Sequence, residues 1–267
     1  MYKDDIFKDS FVLVTGGRSG IGFGLAQRFL ELGASVCICS RDEGKLEEAK
    51  EQLENHGRCI AKACDIREPD QIESLADFIQ EQFGRLDILI NNAGGQFPSL
   101  AENISPNGWN AVINNNLNGT FYMTQSMAKR FFIPQESGVI VNIIANIIRG
   151  FPGMVHTGAA RAGVENMTKT LAQEWARFNI RVNAIAPGII LSSGLDNYNS
   201  FVQHLLEKAK DELLMKRLGT VDDVVNSTIF YASPLSSYIS GTTLYVDGTE
   251  HLHGNRMSMV ELFKNFS

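Results

Sequence analysis

The sequence lacks the features that favour export, a membrane span or binding to nucleic acid. It has only four cysteines, its first ten residues carry charges where a signal peptide needs an apolar stretch, and no uninterrupted apolar run approaches the ~20 residues of a membrane helix. The formal net charge of -6 provides no basic surface for nucleic acid or anionic lipid. We therefore expect a cytoplasmic protein with a small-molecule substrate and with no nucleic-acid or membrane partner.

The few cysteines form no metal-binding or redox motif. Cys37 and Cys39 lie two residues apart in an apolar run, so they should share one face of a strand, and Cys59 and Cys64 follow later. This spacing matches neither a zinc motif nor a redox motif. We interpret all four residues as reduced thiols of the core, and we predict no metal site.

Short β-branched runs alternate with helical patterns from residue 11 to residue 246. The predicted strands are Phe11–Thr15, Ala34–Ser40, Cys59–Asp65, Leu86–Ile90, Gly138–Ile144, Arg181–Ile185 and Thr242–Val246. The predicted helices are Ile21–Leu32, Glu43–His56, Gln71–Phe83 and Ala159–Phe178. This alternation predicts an α/β fold with parallel strands and helical crossovers. A length of 267 residues suits one large domain, spanning residues 1–267.

Two segments fall outside this alternation. The segment from about residue 190 to residue 218 is less regular and follows the end of a strand, where ligands bind in such sheets, so we expect a lid or substrate-binding segment there. The tail 251–267 lies beyond the last strand, and we expect it to pack at a subunit edge.

A glycine-rich loop connects the first predicted strand to the first predicted helix, with the sequence Thr-Gly-Gly-Arg-Ser-Gly-Ile-Gly over residues 15–22. Glycine lets the strand turn sharply and lets backbone N–H groups and the helix N terminus approach a pyrophosphate. We therefore predict a Rossmann-type, doubly wound parallel sheet flanked by helices that binds a dinucleotide. The predicted contacts in this loop are Gly16, Arg18, Ser19, Gly20, Ile21 and Gly22.

Several motifs in order make the chain resemble the short-chain dehydrogenase/reductase family, from about Asp9 to Gly248. The pattern T-G-x-x-x-G-x-G is followed by Asn91-Asn92-Ala93-Gly94, by Asn116-Leu117-Asn118-Gly119, by Pro187-Gly188 and by Val246-Asp247-Gly248. The resemblance implies that Asp65 and Ile66 contact the adenine, that Asn92, Ala93 and Gly94 line the cofactor, and that Pro187 and Gly188 bind it. It also implies a homotetramer, formed through the helices around Phe121 and Ala159 and the C-terminal strand.

The end of the second predicted strand favours NADP(H) over NAD(H). An NAD-binding chain usually has an acid there for the ribose 2′-hydroxyl, whereas this chain has Ser40 followed by Arg41. Together with Arg18 in the glycine loop, Arg41 would suit a 2′-phosphate. The alternative is that Arg41 is only a solvated charge at the start of a helix, and the neighbouring Asp42 weakens the positive field.

The residues that carry proton transfer in the resembled family are replaced here. Most members use a serine, a tyrosine and a lysine, with an asparagine behind them, and the matching positions are Ile144, Thr157, Arg161 and Asn116. A threonine hydroxyl does not ionise near neutral pH, arginine does not release its proton and isoleucine offers no hydrogen bond. The usual proton relay therefore cannot run through these positions, although Arg161 can bind the nicotinamide ribose and Thr157 can donate a hydrogen bond.

Other groups nearby are candidates to compensate for this loss. Glu165 and Lys169 repeat the four-residue spacing two turns later, and His156, Asn146 and Tyr198 lie close to the altered motif or in the predicted lid. For each we favour a structural interpretation: a surface helix pair, a buried histidine, a turn residue and a packing aromatic. A catalytic role for His156 or Tyr198 remains the alternative.

Two branches of the family are resembled more closely. Val141–Ile144, Gly150–Pro152, His156–Val164 and Gly94–Phe97 resemble peroxisomal trans-2-enoyl-CoA reductases, which carry a displaced tyrosine where this chain has Glu165. The stretch Ser192–Asp196 resembles bacterial citronellol/citronellal dehydrogenases.

Chemistry favours the first of these branches. Hydride addition to a 2-enoyl thioester places negative charge on the thioester oxygen, which fixed donors can stabilise without a phenol. We therefore predict an NADP(H)-dependent trans-2-enoyl-CoA reductase in which Asn116 and Thr157 hold the oxygen and Arg161 holds the cofactor. The alternatives are a citronellol/citronellal-type dehydrogenase and an NADPH-binding protein without turnover.

Overall fold

Seven parallel strands form one sheet in the computed structural model, which describes residues 5–192, 210 and 213–252. The strand order is β3-β2-β1-β4-β5-β6-β9. The bounds are β1 Phe11–Thr15, β2 Ser35–Ser40, β3 Cys59–Ala63, β4 Ile88–Asn91, β5 Gly138–Ile143, β6 Ile180–Pro187 and β9 Thr243–Val246. Two short strands, β7 Ile190–Leu191 and β8 Gly219–Thr220, pair separately and in parallel. The predicted parallel α/β fold is confirmed.

Helices cover both faces of this sheet. Their bounds are α1 Gly20–Glu31, α2 Glu43–Leu53, α3 Pro69–Phe83, α4 Pro106–Ile113, α5 Gly119–Met127, α6 Ile133–Gln135, α7 Val155–Trp175 and α8 Val221–Ala232. None of the helices in the described part of the chain is long and apolar enough to cross a membrane.

Each face of the sheet packs against its own apolar cluster, because successive side chains of a strand point to opposite faces. In β1, Val12 and Val14 join the cluster under α1, α2 and α8, whereas Leu13 joins the cluster under α3 and α5. Cys37 and Cys39 both lie in the second cluster, as their spacing predicts. All four cysteines are buried and free, and burial raises the pKa of the Cys59 thiol to about 12.

The direction of winding reverses between β1 and β4. The chain builds outward from β1 to β2 and β3, then crosses back to place β4 on the other side of β1. The loops that follow β1 and β4 therefore diverge and leave a crevice at the carboxyl ends of the strands, which is where such sheets bind ligands.

The structure extends the predictions over residues 106–135. There α4, α5 and α6 follow one another through two π-helical turns, Asn114–Asn118 and Ala128–Phe132, whereas the sequence analysis assigns no helix bounds to this stretch. Asparagine is a poor helix former, and four asparagines fall in residues 114–118, so local propensity hides the helix. Packing of α5 against α3 and β4 stabilises it instead.

Other predicted bounds differ by a few residues. Strand β6 begins one residue earlier and ends two residues later than predicted, and α7 begins four residues before Ala159, at Val155. Most of the predicted lid, including Tyr198, and the tail after Leu252 lie outside the described residues.

A chain of buried hydrogen bonds joins the central strands to the helices above them. The Asn91 amide donates to the Thr124 hydroxyl and to the Asn142 side-chain oxygen, each at 2.8 Å, and the Asn142 amide donates to the Thr168 hydroxyl at 2.9 Å. These four side chains are at most 4% exposed. A break in the chain would leave a polar group unpaired in the core, where that is costly.

We expect Asn142→Ala to lower the free energy of unfolding by about 2–4 kcal/mol, because it opens a cavity and leaves donors or acceptors of Asn91 and Thr168 unpaired. Urea denaturation of the purified protein measures this change. Asn55→Ala, at an exposed turn, is the matched control, with an expected change below about 0.5 kcal/mol. A value for Asn142→Ala as small as the control would contradict the role given to the network.

Candidate active site

The glycine loop has the geometry of a phosphate cradle. Gly16 adopts a φ of +67°, and a Cβ added to Gly22 would lie 2.3 Å from the Gly16 carbonyl oxygen, so only glycine lets α1 approach the loop this closely. The Ser19 side chain accepts no capping hydrogen bond, and the first turn of α1 contains no acid. The backbone N–H groups of that turn therefore suit an external anion such as a pyrophosphate.

The hydroxyl of Thr15 fastens the loop after β4 to this cradle. It accepts hydrogen bonds from the backbone N–H groups of Asn92 (3.0 Å) and Ala93 (2.9 Å), and it donates to the Ile90 carbonyl at 3.3 Å. The Asn92 amide in turn donates to the Thr15 carbonyl at 3.0 Å. The predicted cofactor residues Asn92 and Ala93 thus lie directly against Gly16.

Exposed guanidinium groups stand where the adenosine ribose is expected. The side chains of Arg18 and Arg41 are exposed, and among the described residues neither forms an ion pair with a carboxylate. Asp42 uses its carboxylate to cap α2, by accepting from the Lys45 N–H at 3.2 Å. The Ser40 hydroxyl donates to the Asp42 carbonyl at 3.4 Å.

Arg67, at this end of the site, is not among the residues that the sequence predicts. Its guanidinium Nε donates to Asp65 Oδ1 at 2.9 Å, and this pairing lowers the pKa of the Asp65 carboxyl, with a smaller contribution from Arg41. An arginine two residues after an acid at a strand end was the available signal. Ile66 is buried and packs against Gly119 of α5.

The guanidinium of Arg161 is a buried positive charge in the site. This residue is 8% exposed, and its Nη1 donates to the Ile143 carbonyl at 3.2 Å. Burial lowers its pKa to about 10, so it remains a cation at neutral pH. Among the described residues no carboxylate forms an ion pair with it. A buried cation without a counter-charge is costly, and an electron-rich ligand would offset that cost.

Gly94 lets this guanidinium reach the crevice. A Cβ at position 94 would lie 2.4 Å from Arg161 Nη2 and 2.7 Å from the Asn116 side-chain oxygen. Any larger residue would therefore displace both groups.

Asn116 lies in the π-helical turn between α4 and α5 and is fully buried. Its amide donates to the carbonyls of Gly95 (2.6 Å) and Val112 (2.9 Å), and its oxygen accepts from the Gly95 N–H at 3.2 Å. Both N–H donors are thus occupied, and Asn116 holds the turn at Gly94 and Gly95. A direct contact with a substrate oxygen stays a prediction.

Thr157 and His156 lie at the start of α7, and both are 0% exposed. The Thr157 N–H donates to His156 Nδ1 at 2.8 Å, so the neutral ring carries its proton on Nε2. Burial also lowers the pKa of His156, which favours that neutral form. Ile144, which the motif resemblance places at the position of the usual serine, is 5% exposed and belongs to a small apolar cluster with Val164.

Three of the other candidates have clear partners. Glu165 pairs with Lys169 at 3.1 Å and also accepts from the Thr243 hydroxyl at 3.3 Å. Asn146 is buried rather than a simple turn residue, since its amide donates to the Asp247 carboxylate at 2.8 Å.

The end of β6 meets the loop after β9 at the same edge of the sheet. Pro187 pairs in register with Val246, and the Gly188 N–H donates to the Val246 carbonyl at 3.1 Å. Asp247 follows Val246 and binds His251, a residue that the sequence analysis did not select although a D-x-x-x-H spacing directly follows the last strand. Among the described residues, no cluster of three or more His, Cys, Asp or Glu side chains is arranged to hold a metal.

Comparison with known proteins identifies the same family. A family model described as enoyl-(acyl carrier protein) reductase matches residues 16–249. The chain is 37% identical over 245 residues to a probable 2,4-dienoyl-CoA reductase of Bacillus subtilis, covering 91% of this chain and 96% of that one. It is 36% identical to a peroxisomal 2,4-dienoyl-CoA reductase of Mus musculus, covering 100% and 92%.

A solved structure gives a similar result. The citronellol catabolism dehydrogenase of Pseudomonas aeruginosa superposes with a TM-score of 0.84 at 35% identity, covering 94% of this chain and 98% of that one. Its name matches the second branch that the sequence resembles. Since the family model covers most of the chain and the relatives cover nearly all of it, the chain belongs to the short-chain dehydrogenase/reductase family, whose members are oxidoreductases that use nicotinamide cofactors.

Proposed function

We propose that this protein is an NADPH-dependent reductase of α,β-unsaturated acyl-CoA thioesters, a class that includes trans-2-enoyl-CoA and 2,4-dienoyl-CoA. The observation that carries the proposal is the buried guanidinium of Arg161, which has no ion-pair partner among the described residues and lies beside Gly94 in the crevice. A site that holds a fixed positive charge, with Thr157 in place of a phenolic acid, suits a reaction that develops an oxyanion.

Reduction of an unsaturated thioester differs from reduction of a ketone in the atom that receives the proton. Reduction of a ketone needs a proton on oxygen, which an ionisable phenol usually supplies. Reduction of an unsaturated thioester develops negative charge on the thioester oxygen, and the proton goes later to the α-carbon. Electrostatic stabilisation of that oxygen is therefore sufficient at the step where Thr157 replaces the usual acid.

Three side chains have distinct roles in this proposed reaction. Arg161 holds the cofactor ribose and adds positive charge to the region where the oxyanion forms. The Thr157 hydroxyl donates one hydrogen bond to the thioester oxygen. Asn116 positions Gly94 and Gly95 against the cofactor. When bound, the nicotinamide supplies the hydride, and the cradle formed by Gly16 and the start of α1 binds its pyrophosphate.

The preference for NADPH rests on the adenosine end of the cradle. Arg18 and Arg41 present exposed guanidinium groups there, and the Asp42 carboxylate accepts a hydrogen bond as the cap of α2. A 2′-phosphate would receive charge-assisted hydrogen bonds from these groups, whereas a ribose 2′-hydroxyl would find no carboxylate at Ser40.

The names of the relatives support an acyl-CoA substrate, since two of them are 2,4-dienoyl-CoA reductases. A second candidate is the oxidation of a terpenoid alcohol, which is favoured by the similarity to a citronellol catabolism dehydrogenase. That reaction would require a proton acceptor for the hydroxyl group, and neither Thr157 nor Ile144 can serve as one.

We expect the purified protein to oxidise NADPH with trans-2-hexenoyl-CoA or 2,4-hexadienoyl-CoA, and not with citronellal. Absorbance at 340 nm under anaerobic conditions measures this, and mass spectrometry of the acyl-CoA identifies the product. Turnover with citronellal alone would favour the second candidate. Bound NADPH without oxidation by any acceptor would indicate a protein without turnover.

We expect Arg161→Met to lower kcat by about 10²–10³-fold, because it removes the cation beside the developing oxyanion. Arg161→Lys should restore part of the loss, since lysine keeps the charge but not the planar fork. Arg130→Met is the matched control, because Arg130 is exposed and pairs with Asp77 far from the crevice. Activity of Arg161→Met within threefold of the control would refute the assignment.

Cofactor preference is tested separately with Arg41→Ala. Loss of a charged hydrogen-bond donor costs about 1.5–3 kcal/mol, so kcat/KM for NADPH should fall roughly 10- to 100-fold while the value for NADH stays unchanged. Lys45→Ala, which removes a cation from the same region of α2, provides the control. An equal fall with both cofactors would mean that Arg41 does not read the 2′-phosphate.

A further inference from the structure

A buried carboxylate immediately follows β9. The side chain of Asp247 is 1% exposed. Its oxygens accept from the Asn146 amide at 2.8 Å, from the backbone N–H of His251 at 2.8 Å and from that of Thr249 at 3.1 Å. They also lie 2.9 and 3.0 Å from His251 Nδ1. These contacts come from Asn146, about a hundred residues earlier in the chain, and from the turn that follows β9, and they fix the carboxylate in one orientation.

The ring of His251 is fixed as firmly as its partner. It stacks on Tyr245 with ring centroids 4.6 Å apart and an angle of 22° between the planes. The guanidinium of Arg149 donates to the carbonyls of His251 (3.0 Å) and Leu252 (2.8 Å) and so holds the backbone of the turn. A carboxylate at Nδ1 places a proton on that nitrogen, which leaves Nε2 as the atom that can exchange a proton with a ligand.

This pair borders a cavity of about 280 Å³. Asp247 and His251 form part of its wall, and the apolar side chains of Ile189, Leu213 and Met215 form another part. A cavity that combines apolar side chains with a few fixed polar groups suits the acyl part of a thioester near its reacting carbon.

The cavity lies at the edge of the sheet where the substrate is expected. Its walls come from Ile189 after β6, from residues 213–223 around β8 and the start of α8, and from the end of β9 with the turn that follows it. Asn146 joins this turn to the loop that follows β5. A Cβ on Gly188, directly after β6, would lie 2.8 Å from Asp247 Cβ, so the pair is in contact with the end of β6. The carboxyl ends of neighbouring strands are where ligands bind in sheets of this kind.

We propose that His251, oriented by Asp247 and Asn146, is the group that delivers the proton to the α-carbon of the reduced thioester. This inference rests on the proposed function. Hydride adds to the unsaturated carbon chain, the π electrons move to the thioester oxygen, and the C=O bond re-forms as the α-carbon takes the proton from His251 Nε2. The imidazole then regains a proton from water, because 22% of the side chain is exposed.

The other side chains of the site are less suited to this step. Arg161 does not release its proton near neutral pH, and the Thr157 hydroxyl is too weak an acid. His156 is fully buried, accepts from the Thr157 N–H and has no carboxylate partner among the described residues. His251, by contrast, has a carboxylate partner on one ring nitrogen, and 22% of its side chain is exposed.

Both negatively and positively charged groups surround His251. Asp247 binds its ring and Tyr245 stacks on it, while the guanidinium of Arg149 is directed to backbone carbonyls. Elsewhere in the cavity wall, Arg217 and Asp223 neutralise each other through an ion pair of 2.7 Å. The carboxylate of Glu250 lies beside Gly188.

The test uses His251→Gln in the full chain, with NADPH and trans-2-hexenoyl-CoA. In His251→Gln we expect kcat to fall by about 10²-fold or more, while KM and the NADPH dissociation constant, measured by fluorescence, change less than about threefold. His56→Gln, at an exposed turn, is the matched control.

A second readout follows the proton itself. In deuterated water the wild-type protein should place deuterium on one face of the α-carbon, whereas His251→Gln should place it on both faces. NMR of the released hexanoate distinguishes the two cases after esterification with a chiral alcohol of one configuration. Asp247→Asn should also lower kcat, since an amide cannot stabilise the imidazolium, and a melting curve establishes that each variant is folded.

The outcomes separate this inference from the proposed function. If the wild-type protein reduces the thioester, but His251→Gln keeps the same kcat and single-face deuteration, the assignment of His251 is wrong and the proposed function stands. If the wild-type protein reduces no unsaturated thioester, both are overturned.

Discussion

The parallel pairing of β1 with β4 is the contact on which the site depends. Val12 and Val14 pair in register with Ile88 and Ile90, so both strands end at the same height. The winding of the chain reverses between these two strands, and their following loops therefore part and open the crevice. The hydroxyl of Thr15 then joins the two loop starts and brings the backbone after β4 against the glycine loop.

The proposed chemistry of the site depends on one buried charge. The family motifs place Arg161 at the position of the usual lysine, where it keeps a positive group in the crevice but cannot exchange a proton as an acid would. Its position requires glycine at residue 94, and Asn116 uses both N–H donors to hold the turn beside that glycine. In the proposed mechanism the residues at the usual serine, tyrosine and lysine positions act together, since electrostatic stabilisation takes the place of proton transfer at oxygen.

In the proposed mechanism, stabilisation of the oxyanion and protonation of the α-carbon depend on different elements of the fold. Arg161 and Thr157 on α7 act at the thioester oxygen, and Asp247 with His251 after β9 acts at carbon. Asn146 links the two, because it follows the strand whose Ile143 carbonyl accepts from Arg161 and it donates to Asp247. This separation of the positive charge from the proton donor suits a substrate in which negative charge develops on the thioester oxygen and the proton is added to the α-carbon.

The sequence by itself determined the alternation of strands and helices, the glycine loop, the family motifs and the replaced catalytic positions, because each depends on residues close together in the chain. Only the tertiary structure decided that Arg161 has no ion-pair partner among the described residues, that Asn116 has no spare donor, that Arg67 binds Asp65 and that His251 turns back onto Asp247. It also decided the helix through the asparagine-rich residues 114–118, whose low propensity hides it. These features depend on burial and on contacts between segments as far apart as Asn146 and Asp247, which local patterns do not encode.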